Sequence, residues 1–155
     1  MKRRGALLLA TAGGVGYVPF ASGTFGSMVG VAVWVVLPSS PVTQVIVIVV
    51  LFVAGSWSGS VAEHHFGRTD PSQVVIDEVV GVLMTLFLNP VGWAGALAGF
   101  LIFRLSDIVK PYPSNRFERF AGGVGVMADD AMAAVYANLA LRFCIWAVPP
   151  LLVAR

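Results

Sequence analysis

Residues 77–107 read DEVVGVLMTLFLNPVGWAGALAGFLIFRLSD, and the fold turns on Asn89-Pro90-Val91-Gly92 in their middle. If these four residues only kink one long helix, Asp77-Glu78 and Asp107 lie at opposite ends of an apolar slab and share no site. If they close a hairpin, the carboxylates meet at one end. Proline disfavours a helical residue before it, and Asn-Pro followed by Gly is a strong turn signal, so the hairpin is the expectation. Its arms, residues 71–88 and 91–109, would each be roughly 27 to 29 Å long at 1.5 Å per residue, enough to cross a bilayer core.

The slab is apolar because the whole chain is. Of its 155 residues 57% are hydrophobic and 12% are charged, against roughly 25% charged in a soluble domain. Mean hydropathy is +0.85. No charged side chain falls between Arg4 and Glu63, and residues 42–57, VTQVIVIVVLFVAGSW, approach the ~20 apolar residues of a spanning helix. Further spans are expected at 24–37, stopped by Pro38-Ser39-Ser40-Pro41, at 42–60, and at 130–148, stopped by Pro149-Pro150. The chain reads as one all-α domain, a polytopic integral membrane helical bundle with about four to five spanning helices.

Local signals add detail. Asp70-Pro71-Ser72-Gln73 reads as a helix start, with Asp70 as N-cap, Pro71 as first helical residue and Gln73 as capping-box partner. That start puts Asp77 and Glu78 in the second turn. Residues 5–20 are small, apolar and glycine-rich, a short helix or re-entrant piece. Met1-Lys2-Arg3-Arg4 before an apolar run has the outline of a secretory signal, but the apolar core is short, so the expectation is that it is retained.

The net charge of +2 comes from ten Lys and Arg residues at segment ends and in the loop 114–125, with no dense basic patch, which argues against a nucleic-acid partner. Lys2, Arg3, Arg4, Arg68 and the loop from Lys110 to Arg119 fall on one side of the expected topology, which the positive-inside rule makes cytoplasmic. Cys144 is the single cysteine, which excludes an intramolecular disulfide and a CxxC site.

Five of the eight acidic residues form three clusters, Asp77-Glu78, Asp107 and Asp129-Asp130. In a lipid-embedded chain a carboxylate needs compensation for its desolvation, so such clusters mark a site. Paired carboxylates at helix ends repel one another and suit a hard divalent cation such as Mg²⁺; helix capping by Asp129 or a solvated edge is the plainer alternative. Arg104, Asp107 and Lys110, spaced i, i+3, i+6, form one ridge that would meet a phosphate or serve as an interfacial ion-pair ladder. Thr24, Ser27 and the glycines of 122–125 would offer hydroxyl and N–H donors to a phosphate, though membrane helices use small residues for packing equally often.

Several phosphatase chemistries lack their residues. Cys144 is followed by an apolar tail, His64 and His65 lack arginine-rich surroundings, and no DxD motif exists. Metal-assisted attack of water on phosphorus remains. The competing class is a small ion or proton transporter using the carboxylates and Arg104, which predicts charge in mid-span; here charge lies at span ends.

The chain resembles the bacterial phosphatidylglycerophosphatase A family over almost its full length. The resemblance rests on residues 23–27 (GTFGS), 77–81 (DEVVG), 103–113 (FRLSDIVKPYP) and 122–130 (GGVGVMADD), with Asp70 fitting as well. Ala21-Ser22, where the family often has proline, and Ala133-Ala134, where Ala-Gly is common, depart from the pattern. The resemblance implies a Mg²⁺-dependent, multi-pass inner-membrane phosphatase that converts phosphatidylglycerol phosphate to phosphatidylglycerol and phosphate at a cytoplasmic site, in phospholipid synthesis among bilayer lipids. The catalytic and metal-holding candidates are Asp77, Glu78, Asp107, Asp129 and Asp130. Thr24, Ser27, Arg104 and Lys110 are the substrate-binding candidates. Phosphatases for other membrane lipid phosphates share these features.

Overall fold

A computed structural model describes residues 2–109, 112, 122–148 and 152–153. Its helices are α1 (Lys2–Ala10), α2 (Ser22–Val36), α3 (Pro41–Phe66), α4 (Ile76–Leu86), α5 (Trp93–Val109) and α6 (Gly123–Ala147), with one 3₁₀ turn at Val15–Tyr17. The described residues contain no strand, only an isolated bridge between Val91 and Val153. The protein is all-helical.

Helix α4 is the axis of the bundle and packs against α2, α3, α5 and α6. Nearly all of it is buried, because glycines on its neighbours let backbones approach. A Cβ on Gly26 would come within 2.7 Å of the Val75 Cβ, and one on Gly30 within 2.9 Å of the Val82 Cβ, so α2 lies against the chain at and beyond Val75. Close contact through small residues is how helices associate where surrounding lipid is as apolar as the side chains. On its other flank α4 meets α5, where the Phe103 ring fills the space above Gly81. Two apolar clusters result, one around Phe103, Leu86 and Leu141, the other around Val80, Ile76 and Met127.

The outward faces are apolar too. The most apolar 18-residue window of α3 has mean hydropathy 2.2 with 22% of it buried, and that of α6 has 1.3 with 44% buried. A core helix of a soluble protein would hide such a surface; here it points outward. These two helices are long and apolar enough to cross a membrane. Helix α4, with 11 residues and about 16 Å of length, is not, contrary to the expected 71–88 arm.

The hairpin itself is formed. Leu88 takes φ 57°, Asn89 N–H donates to Leu86 O at 3.1 Å, and the Asn89 side chain donates to Thr85 O at 3.0 Å. Asn138 of α6 completes the turn: its Nδ2 lies 3.1, 2.9 and 2.9 Å from the carbonyls of Met84, Thr85 and Phe87. Those are the C-terminal carbonyls that a helix leaves without internal partners.

Three boundaries differ from the sequence reading. Helix α3 continues six residues past Ser60 and ends at Gly67, whose φ of 68° glycine tolerates best. Helix α4 begins at Ile76, so Asp70 is not its N-cap; Asp70 takes φ 47° and its N–H donates to Glu63 Oε1 at 3.1 Å. The chain before α4 is instead tied to α1, through the Val75 N–H to Ala10 O bond of 2.9 Å. Asp77 and Glu78 therefore stand in the first turn, not the second. Helix α6 begins at Gly123, which moves Asp129 and Asp130 from the expected helix start into its second turn and removes the capping alternative.

Candidate active site

The N-terminal ends of α2, α4 and α6, the C-terminal ends of α3 and α5, and the α3–α4 connection converge on one cavity of about 540 Å³. This end-to-end arrangement follows from the antiparallel hairpin. Asp77, Glu78, Arg104, Asp107, Asp129 and Asp130 all line it, so the three clusters separated in sequence are brought together. One oxygen each from Asp77, Glu78 and Asp130 lies within 4.8 Å of the others. Asp77, Asp129 and Asp130 are buried.

Arg104 is the organising cation. Its Nη1 donates to Asp107 Oδ2 at 2.6 Å, one helical turn along, and lies 3.7 Å from Glu78 Oε1 across the hairpin. A short charge-assisted pair of this kind holds a guanidinium in one orientation. Asp77 is fixed by its neighbour, since its Oδ1 accepts the Glu78 N–H at 3.0 Å.

The charge is unbalanced. Among the described lining residues, seven carboxylates (the five above with Glu63 and Asp70) face one cation, Arg104. Glu78 Oε2, Asp130 Oδ2 and Arg104 Nε are buried with no hydrogen-bond partner among the described residues. Buried carboxylates without compensation cost several kcal/mol each, on the order of what a missing counter-charge would recover. An all-oxygen donor set suits a hard cation such as Mg²⁺, so the residues present fit that ion.

The other substrate-binding candidates are placed differently. Ser27 is fully buried and donates to Gly23 O at 2.9 Å within its own helix, and neither it nor Thr24 lines the cavity. Ser22 and Gly23 take that place. Ser22 Oγ donates to Ser72 O at 2.7 Å and ties α2 to the α3–α4 connection, and among the described residues no side chain caps the start of α2. The glycine-rich start of α6 is a packing device: Gly123 N–H donates to Ser60 Oγ at 2.9 Å, and a Cβ on Gly59 would come within 3.1 Å of the Gly123 Cα. Of that stretch Gly122 reaches the cavity wall. Lys110 and the basic residues of the polar loop, Arg116 and Arg119, lie outside the described residues.

Glu63 and Asp70 were not singled out by residue pattern as site members, yet both line the cavity. Glu63 enters because α3 runs past Ser60. Its isolation in an apolar chain was the one signal available.

A family model described as phosphatidylglycerophosphatase A matches residues 8–145, a range that contains every cavity residue named above. A protein of Bacteroides thetaiotaomicron, provisionally named phosphatidylinositol-3-phosphatase, is 38% identical over 160 residues, covering 96% of this chain and 99% of that protein. The phosphatidylglycerophosphatase A of Haemophilus influenzae is 37% identical over 134 residues, 84% of this chain and 82% of that one. That of Escherichia coli is 34% identical over 139 residues, 88% and 81% respectively. No solved structure matches the chain. With likeness running through every helix that builds the acidic cavity, the chain belongs to the phosphatidylglycerophosphatase A family.

Proposed function

We propose that this protein hydrolyses the terminal phosphate monoester of phosphatidylglycerol phosphate, with Mg²⁺, to give phosphatidylglycerol and inorganic phosphate in phospholipid synthesis. The observation that carries the reading is the convergence of Asp77, Glu78 and Asp130 within 4.8 Å, beside Arg104, in a cavity at one end of an apolar bundle of this family. Asp77, Glu78 and Asp130 would hold the ion, with Asp107 and Asp129 at the same wall. Mg²⁺ bound there would act as a Lewis acid on the phosphoryl group.

The chain's own residues account for the rest. Arg104, held by Asp107, neutralises part of the phosphate charge. A carboxylate of the cluster takes the proton of the attacking water. The water oxygen bonds to phosphorus as the bond from phosphorus to the glycerol oxygen breaks, and that oxygen leaves with a proton given by a second, protonated carboxylate of the cluster.

In the membrane, we read α2, α3, α5 and α6 as the spanning helices, with α4 enclosed among them. Arg3 contacts His65, and Arg68 donates to Ser72 Oγ at 2.7 Å, so both cations sit at the cavity's end of the bundle. The positive-inside rule then turns the cavity to the cytoplasm, where the headgroup of an inner-leaflet lipid would arrive. The transporter alternative loses support because the carboxylates gather at one end instead of spacing along a path.

The relative provisionally named phosphatidylinositol-3-phosphatase favours a second reading, a different phosphorylated polyol headgroup. The test is phosphate release by the detergent-purified protein from phosphatidylglycerol phosphate, phosphatidylinositol 3-phosphate and phosphatidic acid, each with and without Mg²⁺. Mg²⁺-dependent release fastest from phosphatidylglycerol phosphate is expected. Preference for the inositol lipid would favour the second reading, and no release from any of them would sink both.

A further inference from the structure

Helix α2 carries glycine at 23, 26 and 30, and two of the three face apolar neighbours. Gly26 lies against Val75, and Gly30 against Val79 and Val82. Gly23 is different. A Cβ there would stand 3.0 Å from both Nη1 and Nη2 of Arg104 and would collide with Glu78 Oε1. Two ionic groups of the site therefore occupy the space that a side chain at 23 would take.

Backbone geometry does not ask for glycine at this position, because Gly23 is the second residue of α2 and has no positive φ. Alanine is the better helix former, so the missing methyl needs another reason. The reason on view is room. Arg104 Nη1 sits 2.6 Å from Asp107 Oδ2 and 3.7 Å from Glu78 Oε1, while the first turn of α2 closes its far side. We infer that Gly23 is a positioning residue: its bare Cα is the wall that sets where the Arg104 guanidinium lies between Glu78 and Asp107. A methyl would push the guanidinium off that bridge, and the Glu78 carboxylate with it.

This inference rests on the phosphatase reading for its kinetic test but not for its chemical one. In the first arm, Gly23→Ala is assayed for Mg²⁺-dependent phosphate release from phosphatidylglycerol phosphate. A fall in kcat/KM on the order of 100-fold is expected, as for an ångström-scale displacement of a positioned group. Arg104→Lys supplies the rescue, since an ammonium lacks the planar head that meets the methyl. Lysine at 104 should lower activity in the wild-type background and cost little more, or restore part, in the Gly23→Ala background.

The second arm uses no substrate. Arginine modification by phenylglyoxal is followed at Arg104 by peptide mass spectrometry in wild type, Gly23→Ala and Gly26→Ala. Arg104 should be protected in wild type and in Gly26→Ala, whose methyl meets Val75 and not the guanidinium, and react several-fold faster in Gly23→Ala. Unchanged Arg104 reactivity in Gly23→Ala overturns the inference. So does a Gly23→Ala loss that multiplies independently with Arg104→Lys, the outcome for a glycine that merely packs helices. If wild type releases no phosphate while the reactivity pattern holds, the substrate reading fails and the positioning role stands.

Discussion

Asp130→Asn removes one negative charge from the most crowded part of the cavity while keeping the side chain's size. Asp130, Asp77 and Glu78 offer oxygens within 4.8 Å of one another. Fully charged, two groups at that separation would repel by about 3.5 kcal/mol with an effective dielectric of about 20, and burial, which raises the Asp77 and Glu78 carboxyls toward protonation, lowers that. Asp130 takes part in two such pairs, and Arg104 offsets some of the repulsion. A net relief of about 1–2 kcal/mol in metal-free protein is therefore expected. At roughly 2–4 °C per kcal/mol for a chain of this size, thermal unfolding in detergent with EDTA should shift upward by about 2–8 °C. The same substitution should weaken Mg²⁺ binding at least 10–100-fold, the order seen even for residues that only support a ligand, and lower turnover accordingly. The assay is a pair of melting curves, with EDTA and with Mg²⁺, for each protein. Wild type should gain stability from Mg²⁺ and the variant should gain little. A variant that melts lower than wild type in EDTA, or responds to Mg²⁺ as wild type does, refutes the idea that this cluster is an electrostatically strained cation site.

Three other perturbations probe the supporting structure. Asp107→Ala deletes the 2.6 Å partner of Arg104 and should reduce Mg²⁺-dependent phosphate release by about 10–100-fold through misplacement of the guanidinium; wild-type turnover would remove Asp107 from the site. Asn138→Leu strips the amide that meets three carbonyls at the end of α4, and loss of about 1–3 kcal/mol is expected from leaving buried acceptors unsatisfied; an unchanged melting temperature would show that another group, or water, caps α4. Gly81→Ala drives a methyl into the Phe103 ring and should cost about 1–3 kcal/mol by overpacking, with Phe103→Leu in the same chain recovering part; additive losses would place the strain elsewhere.

Much of the hairpin was readable because its signals are local. Asn89, Pro90 and Gly92 punctuate an apolar stretch, and proline and glycine act on the backbone through their own covalent structure. The three acidic clusters were readable for the same kind of reason, since a carboxylate in an apolar chain stands out against composition alone. The start of α4 was not. Asp70-Pro71-Ser72-Gln73 carries good capping chemistry, yet the Val75 N–H is taken by Ala10 O and the Asp70 N–H by Glu63 Oε1, partners that no local rule names. Thr24 and Ser27 were read as phosphate donors from residue type; the helix's rotation buries Ser27 and brings Ser22 and Gly23 to the cavity.

What the sequence by itself determined is the solvent the chain suits, the turn at Asn89-Pro90, and which side chains carry the charge. Only the tertiary structure decided that Glu63 and Asp70 join the acidic wall, that Asn138 caps a helix 51 to 54 positions away, and that Gly23 backs Arg104. The physical reason is range: propensity and hydropathy act over a few residues, whereas the site is made where five helix ends and a connection meet, and only packing sets which faces of those helices look inward.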